Sequence, residues 1–583
     1  MSGIGLLLST ARDALLAQQT ALDVVGHNIA NVNTEGYTRQ IPVLSARDPA
    51  PYAGVVLGRG VDVDEVVRNV DNLIEERLMQ RRSDLKAMEE EEAYMAALEA
   101  LLNESSSGSL SSHLTDFWNA WHDLANNPSG LAERSALYER GALVCQALND
   151  LSGDFDQLEK QINLALDAGV DQINELTAEI AGLNEQIAGL GVFSTPNDLY
   201  DKRQALVTRL SQYLDLQYYE DADGSLTVTT GRGYVLVSRD DSYDLSFDGT
   251  DVRWESSGTA DLDITDTITG GKLGGWLEMR DVILPSYERD LNELAENMIW
   301  EVNQTHSLGA GVEKFTSVTG AYSISDSGEE LGTVDSGLAF YDKITDGSFK
   351  LWLYDDTGAV SASTTLTIDA DAGGTTASSL ASAINAIDVT HLTASVSNGK
   401  FTITASGGYS FAFSGDDSNV LAALGINVFF TGDDAESADM NSALESNKNL
   451  IAAARVGTSG QIATGDNTNA LAMADLQYEE ISMTHYIYTR GSSTPTSSAV
   501  TETISSYLYS LESSVGIRSQ SITRSREYNE VIAEELSETR NNISAVSIDE
   551  ELANLIKFQH AYSAAAKLVS TADEMFQTLL ETR

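Results

Sequence analysis

The first thirty residues carry a heptad pattern, and this pattern constrains the fold more than any other feature of the sequence. Apolar or near-neutral side chains alternate there at spacings of four and three residues, which is typical of a helix that packs against a partner helix. The pattern ends before residues 31–36, where asparagine and glycine favour termination of a helix. Its positions are Ile4, Leu8, Ala11, Leu15, Gln18, Leu22, Val25 and Ile29.

A second heptad pattern occupies the other end of the chain. Ser547 and Glu550 precede it with the spacing of a capping box, in which the two side chains bind backbone N–H groups at the start of a helix. Because an isolated amphipathic helix is only marginally stable in water, we expect the two terminal helices to pack against each other. The second pattern comprises Leu552, Leu555, Gln559, Tyr562, Ala566, Val569, Asp573, Phe576 and Leu580.

The C-terminal helix has more apolar side chains than one partner helix would cover. The surplus indicates either a helix docked on the core of its own domain or, as we favour, a surface that packs against other subunits. We therefore assign an assembly interface to the apolar positions of both heptad patterns except Ala566, and to the larger residues (all but Ala572) of a second stripe beside the C-terminal one. That stripe consists of Leu568, Ala572, Met575 and Leu579. The polar heptad positions are expected to set the register between helices rather than the strength of association; they are Gln18, Gln559 and Asp573.

Both ends of the chain resemble the signatures of the bacterial flagellar axial proteins, the family that forms the rod, the hook and the hook-associated parts. The N-terminal signature covers residues 15–37, including the run from Asn28 to Tyr37, and the C-terminal signature covers residues 553–580. Residues 173–176 and 180–184 are similar to the junction subunits of this family and not to flagellin or the hook subunit.

This resemblance implies a structural subunit without enzymatic activity that forms the junction between hook and filament and self-assembles through its terminal helices after export. Members of the family leave the cell through the flagellar type III channel with an uncleaved signal, so we expect a secreted protein. The implied partners are copies of itself, the hook protein, the second junction protein and an export chaperone that binds the C-terminal helix. Two alternatives stay open. One is a flagellin-like or hook filament subunit, and the other is a flagellum-borne adhesin or enzyme with its activity in residues 340–432.

The length of 583 residues is sufficient for three or four domains. The hydrophobic pattern predicts an α+β multidomain protein with a terminal coiled coil at its base, a bundle of long helices and outer β-rich domains. We assign residues 1–45 with 545–583 to the coiled coil and 46–215 with 465–544 to the helix bundle. Residues 216–339 with 433–464 form a β-rich domain with a helix at 273–306, and residues 340–432 form an inserted outer β-rich module.

Several segments have a more specific secondary-structure prediction. Residues 37–45 and 55–67 are expected to form a hairpin-like linker, because β-branched side chains are interrupted there by proline and glycine. Long helices are predicted over residues 66–102 and 498–544, and a shorter helix over residues 465–489.

Composition excludes several classes of partner. The formal net charge of −53 argues against nucleic acid and against an anionic membrane, since both require basic surfaces. The acidic excess keeps free subunits soluble, and it is also typical of proteins from saline habitats. No window reaches the apolar length of a membrane span, and no secretory signal peptide is expected. The single cysteine, Cys145, allows no intramolecular disulfide, and its helical, apolar neighbours indicate a buried thiol.

No motif indicates a catalytic site, a metal or a cofactor. His391 is the only histidine of the predicted inserted module, and no nucleophile lies beside it in a recognisable arrangement. We therefore expect neither catalysis nor a bound cofactor.

Overall fold

The structure of the protein is a computed structural model that describes residues 2–52, 55–102, 108–191, 195–255, 260–370, 373–492 and 494–581. The predicted combination of paired terminal helices, long helices and several sheets is confirmed. The chain divides into two compact units: unit 1 contains Met1–Ala93, Gln161–Met279 and Gln520–Arg583, and unit 2 contains Tyr94–Lys160 and Arg280–Ser519. The four-part division proposed from the sequence stays a prediction.

The described part of unit 1 contains both terminal helices and four antiparallel sheets. Its strands are β1 (Gln40–Ala46), β2 (Ala50–Tyr52), β3 (Val55–Leu57), β4 (Val61–Arg68), β5 (Leu216–Glu220), β6 (Leu226–Thr230), β7 (Val235–Ser238), β8 (Asp241–Ser242), β9 (Leu245–Phe247), β10 (Val252–Trp254) and β11 (Leu262–Asp263). Strand β1 pairs with β4, β2 pairs with β3, and the remaining sheets have the strand orders β5-β6-β7-β8 and β11-β10-β9.

The helices of unit 1 are α1 (Ser2–Ala30), α5 (Asn197–Leu210), α6 (Gly271–Glu278) and α13 (Ile548–Glu581). Three long helices contribute residues to both units: α2 (Asn72–Leu102), α4 (Leu131–Gly191) and α12 (Ile504–Ser544). Helix α1 packs against α13, and it also contacts β1 and β4. The turn after α1 passes through Gly36 at a φ of 77°, a conformation that glycine adopts without steric cost.

Unit 2 contains the strands β12 (Ser317–Thr319), β13 (Gly347–Tyr354), β14 (Val360–Ile368), β15 (Leu392–Ser397), β16 (Lys400–Ala405), β17 (Ser410–Ser414), β18 (Phe430–Thr431), β19 (Asp439–Met440), β20 (Ile481–Ile487) and β21 (Thr496–Glu502). They form sheets with the strand orders β14-β13-β17, β12-β16-β15, β18-β19 and β20-β21. Its helices are α3 (Leu110–Asn126), α7 (Leu284–Ser307), α8 (Ala377–Asn385), α9 (Val420–Ala423), α10 (Ser442–Ser446) and α11 (Thr468–Asp475).

Aromatic side chains form much of the core of unit 2. Phe117, Trp118 and Trp121 of α3 are fully buried. The ring of Trp121 lies 5.5 Å from that of Phe429, and the ring of Phe117 lies 5.5 Å from that of Phe430. Large buried aromatic rings contribute strongly to stability, so α3 is held by its apolar side against the segment before and within β18.

Three predicted segments differ from the structure. The helix predicted over residues 66–102 begins only at Asn72, because residues up to Arg68 form strand β4. The helix predicted over residues 465–489 ends early: α11 stops at Asp475, and the chain then forms β20. The last long helix begins at Ile504 and not at residue 498, because β21 pairs with β20. The hairpin prediction is met by the pairing of β1 with β4.

Candidate functional site

The two terminal helices pack through small side chains. The buried residues of α1 include Ala11, Ala17 and Ala21, and the buried apolar residues of α13 are Ala565 and Ala572. Small residues allow two helix backbones to approach closely at these positions. On α13 the least exposed face is offset by one residue from most of the predicted heptad positions; it carries Glu551, Leu555, Phe558, Ala561, Ala565, Val569 and Ala572.

The predicted assembly residues fall into three groups by exposure. Ala11 and Val25 are buried. Half-buried positions are Ile4, Leu15, Leu22, Ile29, Leu555 and Val569. Exposed positions are Leu8, Leu552, Tyr562, Leu568, Met575, Phe576 and Leu580. The side chain of Leu579 lies outside the described part of the chain. Their role in assembly stays a prediction.

The three polar heptad residues differ in their exposure to solvent. Gln559 and Asp573 are exposed on α13. Gln18 is half-buried, and its Oε1 atom is shielded from solvent without a hydrogen-bond partner among the described residues. Any effect of Gln559 or Asp573 on register must therefore arise from contacts that a single chain does not make, and the proposed role stays a prediction.

Helix α13 presents an apolar surface to solvent. We define the exposed apolar surface of α13 as Leu552, Ile556, Tyr562, Leu568, Met575, Phe576 and Leu580, whose exposed fractions lie between 38% and 60%. Leu568 and Met575 are seven residues apart and so lie on the same side of the helix. Helix α1 adds Leu8 and Leu16. Ile556 and Leu16 are outside the predicted heptad patterns, which is why the sequence pattern missed them.

A buried polar cluster joins the end of α1 to the start of α13. We define the Asn28–Glu551 cluster as Asn28, Tyr37, Arg39, Gln40 and Glu551. Asn28 and Glu551 are almost completely buried, with exposed fractions of 0% and 1%. The Nδ2 group of Asn28 donates to Oε2 of Glu551 at 3.1 Å and to the backbone oxygen of Gln40 at 2.9 Å. Nε of Arg39 donates to Oε1 of Glu551 at 2.9 Å.

The other atoms of this cluster are also hydrogen-bonded. Oδ1 of Asn28 accepts from the hydroxyl of Tyr37 at 2.8 Å and from the backbone N–H of Gln40 at 3.0 Å. Burial, together with the nearby carboxylates of Asp198 and Asp201, raises the pKa of Tyr37, so its hydroxyl stays protonated and can donate. A buried charge is tolerated only when it is paired and hydrogen-bonded, and Glu551 meets both conditions.

The cluster is tied to the rest of unit 1 by backbone contacts. The backbone N–H of Arg39 donates to the oxygen of Ser544 at 2.9 Å, and Nδ2 of Asn69 donates to the oxygen of Ile543 at 2.7 Å. On the other side, the N–H of Thr38 donates to Asp201 of α5 at 3.0 Å. The end of α1, the β1–β4 hairpin, the end of α12 and the start of α13 are thereby fixed to one another.

Unit 2 contains a serine, a histidine and an aspartate in sequence-distant positions that meet in space. Nδ1 of His485 lies 2.9 Å from Oδ2 of Asp290, and its Nε2 lies 3.3 Å from Oγ of Ser510. Ser510 is inside α12, where backbone N–H groups bond to carbonyls four residues earlier and so offer no oxyanion donors. The contacts connect β20, α7 and α12, and this geometry supports a structural role.

Other chemistry has little support in the described residues. His391 pairs with Asp388 at 3.0 Å and stacks on Tyr409, with the ring centres 3.9 Å apart. Within the described ranges, no group of three or more His, Cys, Asp or Glu side chains is arranged to hold a metal ion. None of the helices described combines the length and the apolar composition that crossing a membrane requires.

Comparison with known proteins relates the chain to flagellar components along its whole length. Residues 95–319 match the model of the flagellar hook-associated protein FlgK helical domain. Residues 8–38 match the model of flagella basal body rod proteins, and residues 539–582 match the model of the flagellar basal body rod FlgEFG protein C-terminal region. The two rod-protein models therefore coincide with the terminal helices.

Curated relatives span the full chain. Flagellar hook-associated protein 1 of Escherichia coli (strain K12) is 27% identical, covering 99% of this chain and 100% of the relative. The protein of the same name from Bacillus subtilis (strain 168) is 27% identical, covering 98% of this chain and 97% of the relative. The solved structure of the flagellar hook junction protein FlgK from Burkholderia pseudomallei has a similar fold, with a TM-score of 0.52, 17% identity and coverage of 81% of this chain and 100% of that one. These relatives and the three family models agree, so the chain is similar to flagellar hook-associated protein 1 along its whole length.

Proposed function

We propose that this protein is a structural subunit of the bacterial flagellum that forms the junction between hook and filament. It self-assembles through its terminal helices after export, and it acts by binding and not by catalysis. Its location is the outside of the cell, at the hook–filament junction.

The observation that carries the proposal is the exposed apolar surface of α13. In the single chain this surface has seven large apolar side chains open to solvent along one helix. Large apolar side chains exposed in this number along one helix are typical of a surface that another molecule covers. The surface lies on the segment that matches the rod-protein model, and subunits of an assembly are the fitting partners.

The distribution of charge also supports assembly through the two ends of the chain. Residues 1–86 contain 9 basic and 11 acidic residues, and residues 545–583 contain 3 basic and 6 acidic residues. Residues 87–544 contain 23 basic and 71 acidic residues, so almost all of the net charge lies there. Helices that are close to neutral can approach other copies without the repulsion that the rest of the chain would cause.

The proposed partners are copies of the chain, the hook protein and the second junction protein, together with an export chaperone that covers the C-terminal helix before assembly. The chaperone would cover the exposed apolar surface of α13 before assembly, and the neighbouring subunits would cover it afterwards, because an apolar helix face is unfavourable in water. We also retain the four-part domain division and the register role of Gln18, Gln559 and Asp573 as parts of this proposal.

Attachment of the purified chain to isolated hooks tests the proposal. The double variant Leu568→Asp, Met575→Asp places two charges on the exposed apolar surface of α13. The matched control is Leu164→Asp, Tyr528→Asp, because these side chains are 70% and 67% exposed elsewhere in unit 1. Since burial of each such side chain contributes about 1.5–3 kcal/mol, we expect attachment of the α13 variant to fall by at least about 100-fold.

The control should attach as the unmodified chain does, and circular dichroism should show that both variants remain folded. Attachment of the α13 variant with unchanged affinity would overturn the proposal. The alternative of a filament subunit makes a different prediction, since the chain would then polymerise alone into long filaments without hooks as a template.

A further inference from the structure

We infer that the free edge of strand β14, the side away from β13, is a docking surface for the same strand of a second copy of this chain. Two free subunits would pair through it, with their β14 strands antiparallel and their sheets joined into one. The inference goes beyond the proposed function, which uses the terminal helices of unit 1, because β14 belongs to unit 2.

Strand β14 is an unprotected sheet edge. It is the longest of the described strands, with nine residues, and within the described ranges it pairs only with β13. Sheet edges are usually protected from further pairing by charged side chains, proline or a β-bulge. Residues 362–368 contain neither charge nor proline, and the register shift between β13 and β14 lies beyond them, at Tyr354 and Val360.

The free edge presents the backbone groups of alternate residues. In an antiparallel pair, opposed residues alternate between those that exchange N–H···O bonds and those that do not. Ser348 of β13 lies opposite Thr367, but its carbonyl accepts from the N–H of Asp417, which follows β17, at 3.1 Å. Thr367 therefore directs its N–H and C=O groups away from β13, and by alternation so do Thr365 and Ser363. An added strand binds a sheet edge mainly through such main-chain groups.

The side-chain pattern of β14 is complementary to itself. Two copies paired antiparallel about Thr364 would bring hydroxyl residues opposite hydroxyl residues on the exposed face, and apolar residues opposite apolar residues on the other face. The opposed pairs are Ser361 with Thr367, Ala362 with Leu366 and Ser363 with Thr365. A shift by one residue would place the exposed face of one strand beside the buried face of the other, which is unfavourable.

The chain already pairs hydroxyl residues across antiparallel strands. In the sheet β12-β16-β15, Oγ of Ser317 lies 3.1 Å from Oγ1 of Thr404, and Oγ1 of Thr319 lies 3.3 Å from Oγ1 of Thr402. Cross-strand pairs of this kind stabilise a sheet. The hydroxyl residues of two β14 strands would meet in the same way, but between two chains.

The absence of charge also favours a second copy as the partner. Each chain carries a net charge of −53, so two copies repel each other. Residues 357–368 form an uncharged stretch between Asp356 and Asp369, and this stretch contains the whole of β14. A basic partner would gain nothing from a neutral edge, whereas another acidic chain can approach it without like charges at the contact.

The pair belongs to the free chain and not to the proposed junction. A pair that uses the same surface on both copies closes on itself, whereas subunits of a polar assembly meet through unlike surfaces. The proposed junction is polar, because the hook lies on one side of it and the filament on the other. Pairing through β14 would therefore precede attachment to the hook and would end with it.

Sedimentation equilibrium of the free, full-length chain at about 1 M sodium chloride tests the inference, because repulsion is then screened beyond about 3 Å. Every chain carries Leu568→Asp, Met575→Asp, so that the exposed apolar surface of α13 does not cause association. In Thr365→Pro each pair of chains loses two N–H donors at the free edge, and we expect the dissociation constant to rise at least about 10-fold. Thr365→Val keeps these donors and is the matched control, which should pair with unchanged affinity.

A disulfide locates the centre of the pair. Thr364 directs its backbone groups towards β13, so two copies of it would be opposed without hydrogen bonds. Such residues have Cα atoms about 4.5 Å apart, a distance that a disulfide spans. In oxidised glutathione, Thr364→Cys should form a disulfide between two chains, whereas Thr393→Cys, at an exposed position of β15, should not. Cys145 is buried and does not compete.

Three results would overturn the inference. The first is a chain that stays single at every concentration. The second is an unchanged dissociation constant in Thr365→Pro when circular dichroism shows that this variant is folded; if it does not fold, the disulfide decides. The third is equal disulfide formation in Thr364→Cys and Thr393→Cys. Failure of the proposed function is a separate outcome, because no hooks are present and attachment is not measured.

Discussion

At the scale of single residues, His306 is the buried ionisable group with the clearest chemical state. Its ring is fully buried in unit 2. Nδ1 lies 2.7 Å from the backbone oxygen of Asn427, and Nε2 accepts from the backbone N–H of Ala452 at 3.0 Å. One ring nitrogen must donate and the other must accept, so the neutral ring fits the site and the charged ring does not. Burial lowers the pKa of His306 from 6.5 to about 4.

This lowered pKa predicts a loss of stability in acid. Because the folded state binds a proton at His306 more weakly than the unfolded state, the contribution of His306 is complete above pH 6.5 and is lost as the pH falls towards 4. The full loss is about 3 kcal/mol. Urea unfolding of the unmodified chain and of His306→Asn across this pH range measures it, and the stability difference between them should shrink by that amount.

Comparing the unmodified chain with His306→Asn removes the effect of the other titratable groups on the pH dependence of stability. Burial raises the pKa values of Glu288, Glu296 and Glu301, and these carboxyl groups make an opposite contribution to both proteins. Parallel stability curves for the two proteins would contradict the prediction for His306.

Cys145 supplies a second prediction at this scale. Burial raises the pKa of its thiol to about 12, and only 3% of the residue is exposed. Relative to a thiol with the ordinary value of 9.0, the thiolate fraction near pH 8 is lower by about a thousandfold. We expect iodoacetamide to modify the native chain only as unit 2 opens, whereas the urea-unfolded chain should react at once. Rapid modification of the native chain would show that the thiol is accessible.

At the scale of elements, α13 combines two buried alanines with large exposed apolar side chains. Phe576 lies on the same face as Ala565 and Ala572, whereas Leu568 and Met575 lie beside that face, and Gln559 and Asp573 are exposed. The polar heptad residues on this helix therefore have no structural task in the single chain that the described contacts reveal. We therefore expect any effect of these residues to arise in contacts between subunits.

Replacement of Gln559 distinguishes an effect on the stability of the single chain from an effect on the register of the assembly. Gln559→Leu should change the unfolding free energy of the single chain by less than about 0.5 kcal/mol, because the side chain is exposed. In the assembly it should change the register or the choice of partner, as loss of a polar position in a helix interface does. Electron microscopy of hooks with the attached variant measures the register. Gln520→Leu, at an exposed position of α12, is the control; an unaltered assembly with Gln559→Leu would remove the proposed role.

At the scale of the whole molecule, charge is the dominant property. The net charge of −53 is carried almost entirely by residues 87–544, so copies that gather through their terminal helices bring strongly acidic regions together. Repulsion between like charges opposes this step, and salt screens it over a distance that falls from about 10 Å at 0.1 M to about 3 Å at 1 M.

Assembly should therefore become more favourable as salt increases. We expect attachment of the chain to hooks to strengthen between about 0.1 M and about 1 M sodium chloride, because apolar contacts between helices persist while repulsion is screened. Sedimentation of hooks with bound chain measures this directly. A steady weakening with salt would indicate that charge attraction, and not apolar contact, dominates the interface.

The sequence by itself determined the elements whose pattern is local. The heptad spacing at both ends, which follows from 3.6 residues per helical turn, predicted α1, α13 and their pairing. Helical spacing also located the long helices, whereas alternation with a period of two residues located the β-rich segments. The sequence pattern predicted a helix at residues 481–487, where the structure has a strand. Side chains of α7, which is distant in the sequence, bind backbone N–H groups of this strand: Glu293 accepts from Thr484 at 3.0 Å, and Asp290 accepts from Tyr486 at 2.8 Å.

Only the tertiary structure decided which face of α13 meets α1 and what fixes the two helices. A heptad pattern gives the spacing of apolar side chains, but it does not show whether the alanine positions or the leucine positions of α13 face α1. The partners Asn28 and Glu551 are 523 positions apart in the chain, and each reads as an ordinary polar residue in its own segment. Their pairing depends on burial and on the meeting of four elements, which are properties of the folded chain and not of any local stretch of sequence.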